Sequence, residues 1–578
     1  MTNRQRMLYY YRRYWRKLLI GSLCVIFSAV TSLLAPKIVG YAVDDLLKQV
    51  THNKLLIYGL LVLAVSAVRG IFLYSQRWII VTMSRDIEND LRNDYYEHLQ
   101  RLPLSFFQQT RTGDLMARAT NDLNAVRMLI GPAVMYGLNT IFVSIIALPV
   151  MISISGRLTL LILLSLPFIS LATRYFSKHI HDRFEGIQEY FSTITARAQE
   201  NLAGVRVVRA YVQEEHEIAE FDHLNREYVK RNLKLIRLTG LFMPTLRALI
   251  GIGPGLVLWY GGLLVSRGVI TVGQFVEFNL YLVLLIWPMI ALGWVINLYQ
   301  RGMASMGRIN AILNTEPTIK DVAEKSSVEN LEGAIEFRNL TFAYNGHSVL
   351  KNINVKIEPG QTIAIVGHTG SGKSTLINLI PRLFDATPGQ VLIDGRPINE
   401  IPLDVLRHNI GYVPQDTFLF SNSIKSNIAF GVEKASLAEV EEVTQQAGLL
   451  NDIRDFPEGF DTVIGERGIT LSGGQKQRSA IARALIRQPK ILILDDALSA
   501  VDTETEERIL THLRDVMSER TSIIVSHRIS TVKTADLILV LAHGEIVERG
   551  THKQLLEHGG VYAELYEKQL LEEELAAS

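Results

Sequence analysis

The sequence predicts a chain in two parts: an all-α bundle of six membrane-crossing helices over residues 1–320, then an α/β domain over residues 333–570. Three observations carry this. Apolar runs long enough for the ~20 residues that a bilayer demands recur before about residue 300 and stop there. From Ala334 a strand pattern begins, and the rest has the composition of an ordinary α/β protein. Within it, residues 362–366 read as a buried strand, a glycine-rich loop follows, and a helix begins near Thr375, the order that builds an anion-binding turn.

The six spans fall at roughly 18–42, 54–80, 130–153, 157–178, 240–265 and 273–300. An even number puts both termini on one side. Arg4, Arg6, Arg12, Arg13, Arg16 and Lys17, with no acid among them, make that side the cytoplasm. Interleaved with Tyr9, Tyr10, Tyr11, Tyr14 and Trp15, these cations suggest an interfacial helix. The following apolar run is too long for a cleavable signal peptide. Connections after the first, third and fifth spans are short; residues 81–129 and 179–239 are long, charged and helical in pattern, as in helices that continue into the cytoplasm. Prolines and glycines inside the spans, such as Pro132, Pro149 and Gly253, read as kinks and close-packing points. A polar bridge over 302–332 joins the two parts, and residues 564–578 form a charged end helix. The single cysteine, Cys24, excludes an internal disulfide and reads as a buried hydrophobe. A net charge of +1 gives no field that would attract nucleic acid.

The chemistry is concentrated in Gly367-His368-Thr369-Gly370-Ser371-Gly372-Lys373-Ser374. Such a loop wraps phosphates with backbone N–H groups, its lysine reaches β/γ oxygens, and its serine hydroxyl holds Mg²⁺. Ile491–Asp495 reads as a buried strand ending in a carboxylate that orders the metal. Between them stands Leu471-Ser472-Gly473-Gly474-Gln475. Together the three strings resemble the ATP-binding cassette (ABC) superfamily.

The resemblance covers nearly the whole chain and implies further roles. Tyr344, in Phe342-Ala343-Tyr344, matches the adenine-stacking aromatic. Gln415, after Pro414, matches a residue that touches Mg²⁺ and senses the membrane domain. His527 matches the switch histidine of the γ-phosphate, and Asp502 the aspartate of the family's D-loop. Ile464-Gly465-Glu466-Arg467-Gly468 resembles an exporter-specific loop. Gly367 to Thr375, with Gln415 and Asp495, would hold ATP–Mg²⁺, the metal through Ser374, Gln415 and Asp495. Ser472, Gly473, Gly474 and Gln475 would cap ATP in a partner subunit, because nucleotide domains of this family pair head to tail.

In the membrane part, Phe106-Phe107…Thr112-Gly113-Asp114 and Glu200-Asn201-Leu202-Ala203-Gly204 match the cytoplasmic connections of exporter half-transporters. The resemblance implies coupling helices near 117–127 and 205–216 that dock on nucleotide domains. Arg69, Arg247, Glu277, Asn279, Trp287 and Pro288 are the candidate substrate-site residues; Glu277, if it faces a cavity, would favour cationic drugs.

One position departs from the family. Where its catalytic glutamate usually follows the metal carboxylate, this chain has Asp496. Asp and Glu are similarly acidic, so reach rather than pKa is at stake: a base must lie within about 2.6–3.2 Å of the water it activates. Asp496, His527 and Gln415 remain the catalytic candidates, in a site that binds ATP and turns over slowly. With the 471–475 string intact, this favours one half of a heterodimeric bacterial multidrug exporter in the plasma membrane, moving hydrophobic or drug-like molecules. A homodimeric lipid or peptide exporter is the alternative. A soluble ABC ATPase acting on DNA or ribosomes is disfavoured by the spans, and a nucleotide-gated channel would show flux without accumulation.

Overall fold

The computed structural model describes residues 1–321, 330–344, 346–465, 468, 470–499 and 503–577. The chain divides into two units: residues 1–99 with 112–315, and residues 100–111 with 316–578.

The first unit is helical throughout its described length. Five continuous helical segments are long and apolar enough to cross a membrane: Trp15–Lys48, His52–Arg101, Thr112–Ala203, Glu214–Ser266 and Val272–Leu313. The six spans read from sequence fall within these five. The third segment runs for 92 residues, and at Ser155 the backbone becomes extended (φ −160°, ψ 106°). The Ser155 hydroxyl then accepts from the Leu158 N–H at 3.3 Å, as an N-cap does, so two crossings fit on either side of it. Inside lipid every backbone group must find an internal partner, which is why the unit is helical. Where Pro132 lacks an N–H the ladder slips into a π-helical turn over Leu129–Ala133.

Small residues let these helices meet closely. A Cβ added to Gly302 would lie 2.4 Å from Leu129 Cβ, and one added to Gly131 would lie 2.6 Å from Ser84 Cβ. Polar clamps hold the helices together at one end. The buried Asp122 carboxylate accepts from Ser305 Oγ at 2.9 Å and from both Nε (2.8 Å) and Nη2 (2.5 Å) of Arg308. Buried Glu88 is shared by Arg85, Arg92 and Arg127.

The N-terminal cations have partners that the sequence reading did not give them. Asp86, Asp90 and Asp94 recur every fourth residue and so share one face of the second long helix. Lys17 meets Asp86 at 2.6 Å, Arg13 and Tyr14 meet Asp90 at 3.2 and 2.9 Å, and the Tyr10 hydroxyl donates to Asp94 at 2.5 Å. The helix Asn3–Arg13 is therefore a strap on its own unit.

At 117–127 Leu123 and Val126 are buried and Asp122 is clamped to Arg308. Upstream, Leu104–Gln109 forms a short helix. At 205–216 the structure does present a tip: a short helix, Val205–Ala210, with Val207, Tyr211 and Val212 well exposed.

The second unit has two sheets. β1 (Ile335–Tyr344), β2 (His347–Ile357), β4 (Val391–Ile393) and β5 (Arg396–Pro397) form an antiparallel sheet in the order β2-β1-β4-β5. β3 (Thr362–Val366), β6 (Ile410–Val413), β7 (Ile491–Asp495), β8 (Thr521–Val525), β9 (Leu537–Ala542) and β10 (Glu545–Gly550) form the other, ordered β10-β9-β3-β8-β7-β6. Only β10 is antiparallel there. β3, β7 and β8 are apolar with scarcely an exposed residue, as strands covered on both faces must be.

Gly302→Val should overpack the contact with Leu129 and cost about 1–3 kcal/mol. A lowered melting temperature of the full chain in detergent would show it, and an unchanged one would mean that these helices do not need the close approach.

Candidate functional site

Parallel pairing sends the loops that follow β3, β6, β7 and β8 to one edge of the sheet. In the register, Ile365 and Asp495 both pair with Val525, so these strands end at one level. Ligands bind beyond such carboxyl ends. The phosphate loop leaves β3, Gln415 lies two residues past β6, Asp496 follows β7, and His527 follows β8 by two.

The loop's shape depends on its glycines. Gly367, Gly370 and Gly372 have φ of 147°, 83° and 102°. A Cβ on Gly367 would fall 2.1 Å from the Leu541 carbonyl oxygen, and one on Gly372 2.8 Å from Leu350 Cδ2. His368, Thr369 and Gly370 form the exposed tip, while Ser371 and Lys373 are buried and Ser374 and Thr375 half-buried. The Lys373 ammonium donates to the Gly367 and His368 carbonyls at 2.7 and 3.0 Å. The Ser371 hydroxyl is buried with no hydrogen-bond partner. Ser374 Oγ donates to Asp495 Oδ1 at 3.3 Å. A buried cation bonded only to main-chain oxygens, an orphaned hydroxyl and two adjacent hard oxygen donors fit a nucleotide phosphate with Mg²⁺.

Electrostatics agree with that use. Burial pushes the Asp495 carboxyl up; Ser374's hydrogen bond and the Lys373 charge oppose this, and the Asp496 charge adds to it. Burial lowers the Lys373 ammonium, with Asp495 and Asp496 opposing. Desolvation, then the Lys373 charge, holds His527 below the ordinary histidine range, so its ring is neutral at pH 7. Asp496 is thus within electrostatic reach of Lys373, Asp495 and His527.

Asp496 also has an unusual backbone, φ 48°. Aspartate enters this left-handed region more readily than most side chains. The turn is held on both sides: Asp496 N–H donates to Val525 O at 2.8 Å, and its carbonyl accepts from Ser499 Oγ at 2.9 Å and Gln477 Nε2 at 3.4 Å.

Tyr344 is half-buried, packed edge-on against Phe342 and Phe384 with centroids 4.9 and 5.1 Å away. Gln415 is exposed. Ser472 caps the helix Gly473–Leu485, its hydroxyl accepting from Gln475 N–H while the Gln475 side chain accepts from Ser472 N–H. Ser472 and Gly473 are exposed, and among the described residues no hydrogen bond or ion pair joins residues 472–475 to residues 367–375. Asp502 and Glu466 lie outside the described residues.

Sequence reading missed a network behind these loops. Glu506, 1% exposed, accepts from Arg528 and from the Thr531 hydroxyl. Arg528 also donates to Ser499 O at 3.3 Å, and Gln477 donates to Ser499 Oγ at 3.0 Å. The chain of bonds runs from the 473–485 helix through the loop after β7 to the residue beside His527. An acid four residues past Asp502, in an exposed-looking helical pattern, gives no signal of this.

The helical unit built to cross a membrane, joined to a nucleotide-binding sheet edge, defines a membrane transporter powered by ATP. Comparison with known proteins agrees. The family described as ABC transporter transmembrane region matches residues 18–289, and the ABC transporter family matches residues 350–499. A probable multidrug resistance ABC transporter ATP-binding/permease protein of Bacillus subtilis is 39% identical, covering 97% of each chain. An ATP-dependent lipid A-core flippase of Syntrophus aciditrophicus is 37% identical over 96% of this chain and 92% of its own. A bacterial Atm1-family ABC exporter with ATP bound superimposes with a TM-score of 0.76 at 30% identity, covering 96% of this chain and 98% of the other. The chain belongs to the ABC transporter family, as an exporter half-transporter that binds and hydrolyses ATP to drive transport.

Arg528→Ala should strand the buried Glu506 carboxylate and cost about 3 kcal/mol. A melting temperature within a degree of the parent's would show that the carboxylate needs no partner.

Proposed function

We propose that the chain is one half of a dimeric exporter that moves small amphipathic or drug-like molecules across the plasma membrane, both termini cytoplasmic, with a weak ATP site of its own. The observation that carries this is Asp496, held at positive φ directly after Asp495, in a chain whose Leu471–Gln475 string is intact. A carboxylate one methylene short leaves its water misplaced, and misplacement on the ångström scale can cost roughly 100-fold. An intact string serves a partner's site. These two facts together favour a heterodimer, in which the partner hydrolyses.

In this reading residues 1–320 transport and residues 333–570 bind nucleotide. Gly367 to Thr375 cradle the phosphates, with Lys373 turning from its own carbonyls to the β/γ oxygens. Tyr344 offers a ring to adenine. Ser374, Asp495 and Gln415 hold Mg²⁺, which neutralises phosphate charge. Neutral His527 donates or accepts a hydrogen bond at the γ-phosphate, and Asp496 orients the water. Ser472, Gly473, Gly474 and Gln475 present the start of a helix to the partner's ATP. Closure of the nucleotide dimer shifts the membrane cavity from inward-facing to outward-facing. The exposed apolar tip at Val207, Tyr211 and Val212 transmits it by docking on a nucleotide domain of the assembled transporter. The flippase relative supports a second reading, a homodimeric lipid exporter.

ATP turnover of the purified chain in nanodiscs should be negligible and rise at least about tenfold in Asp496→Glu, if the missing methylene limits the site. Robust turnover by the unmodified chain as a stable homodimer would overturn the weak-site reading. Tyr211→Ala, assayed in vesicles with the partner present, should leave most ATP hydrolysis intact and lower substrate accumulation by about tenfold or more, as loss of a coupling contact does. Parallel loss of both would place Tyr211 in the folding of the unit instead.

A further inference from the structure

The helical unit contains a cavity of about 300 Å³. Its polar wall is Ser28, Ser32, Arg69, Gln76 and Asn139, and its apolar wall includes Leu73, Val283 and Trp287. Glu277 is not part of it. That carboxylate is buried against the first apolar helix, where a Cβ on Gly40 would come within 3.0 Å of Oε2. Arg247 is exposed and also lies off the cavity. The charge that reaches the cavity is therefore positive, opposite to the sign read from Glu277.

Two of its polar atoms are unsatisfied. Arg69 Nε and Gln76 Oε1 are both buried with no hydrogen-bond partner, and Gln76 is only 6% exposed. Buried polar groups in native proteins are almost always paired, and in a membrane unit the cost of leaving them unpaired is higher still. Arg69 sits mid-way along the span read at 54–80, roughly 16 Å from its nearer end at 1.5 Å per residue, too deep for its guanidinium to snorkel to an interface. Among the residues lining the cavity no carboxylate neutralises it. An ionised side chain kept at this depth marks a ligand path. Ser32 Oγ donates to Ala29 O at 2.7 Å, which leaves its lone pairs free to accept.

Resting on the exporter reading above, we propose that this cavity is a binding site for an amphiphile with one anionic head, a carboxylate, phosphate or sulfonate, and a slender apolar body. Arg69 holds the head by charge-assisted hydrogen bonds, and the Gln76 amide and Asn139 share its remaining polar atoms. The apolar wall, with the Trp287 indole, takes the body. A cation of the same shape would add a second positive charge in a medium of low dielectric, and the site rejects it.

The test is nucleotide-free binding of tritiated laurate to the full chain in phosphatidylcholine nanodiscs, read by scintillation proximity against empty discs. Because no hydrolysis is involved, the result is independent of how Asp496 performs and of which partner subunit is present. Laurate should bind saturably, and dodecyltrimethylammonium should need at least about tenfold more to displace it than dodecyl phosphate does. Arg69→Ala should weaken binding at least about tenfold, and Arg69→Lys, which keeps the charge but loses the planar fork, should bind between the two and keep the preference for the anionic competitor. Equal displacement by the cation, measured on the unmodified chain, would overturn the proposal, as would undiminished binding by a folded Arg69→Ala. Discs containing phosphatidylglycerol distinguish the source of the head group. Loss of laurate binding there assigns the site to membrane lipid, and unchanged binding assigns it to free amphiphiles.

Discussion

The nucleotide site depends on one constraint, the parallel pairing of β3, β8, β7 and β6. Four segments far apart in sequence, at 367–375, 415, 495–496 and 527, become neighbours only because their strands point the same way and end together. Asp495 and Val525 are register partners. The Ser374 hydroxyl meets Asp495 across 121 residues of chain. A one-residue slip of β7 against β8 would turn Asp495 to the opposite face of the sheet and separate the two oxygens that fit the metal. Both faces of β7 and β8 are buried, so such a slip would force each side chain into the packing on the opposite face and drive the Asp495 carboxylate among apolar side chains. Packing on the sheet faces thus fixes chemistry at its edge.

The membrane unit meets the opposite problem. Apolar surface does not drive its helices together in lipid, so their relation is set by small-residue contacts and by polar clamps at the ends. Asp122 with Arg308, Glu88 with its three arginines, and the aspartate stripe at 86, 90 and 94 all sit toward one end of the bundle. At the opposite end, Asp44 accepts from Thr271 Oγ1 and Gly273 N–H at 2.5 and 2.7 Å. Among the described residues no ion pair involves a residue lining the cavity, and the interhelical bond nearby is neutral, the Tyr281 hydroxyl donating to Leu33 O at 2.9 Å.

What the sequence made legible follows from which forces are local. The loop glycines, Lys373, Ser374 and the helix cap at Ser472 could be read because each acts within a few residues of itself. The spans could be read because bilayer thickness sets their length. The Ser155 break was legible as a short connection, though not as a single extended residue. Pairings between distant segments were not legible. Nothing near Arg13 or Lys17 shows that Asp90 and Asp86 will oppose them, so those cations read as an interfacial helix. The burial of Leu123 and Val126 was not legible either, because packing against the last helix is a tertiary fact. Arg69 mid-span and Glu277 near the end of the last span were both candidate intramembrane charges in the sequence, and the cavity walls decide which of them lines the cavity.

The αL turn at Asp496 sharpens the argument about the short carboxylate. In a residue with φ near 48° the side chain crowds the neighbouring backbone, and aspartate tolerates this better than a longer acid. The turn is held from three directions, by Val525, Ser499 and Gln477. Gln477 stands on the helix that begins at Ser472, the element offered to the partner's nucleotide. Any shift of that helix therefore acts on the carbonyl of Asp496 itself, and through Ser499 on Arg528 beside His527. In the heterodimer proposed above, these bonds would let the site beside Asp496 report its occupancy to the site that the Ser472 helix caps.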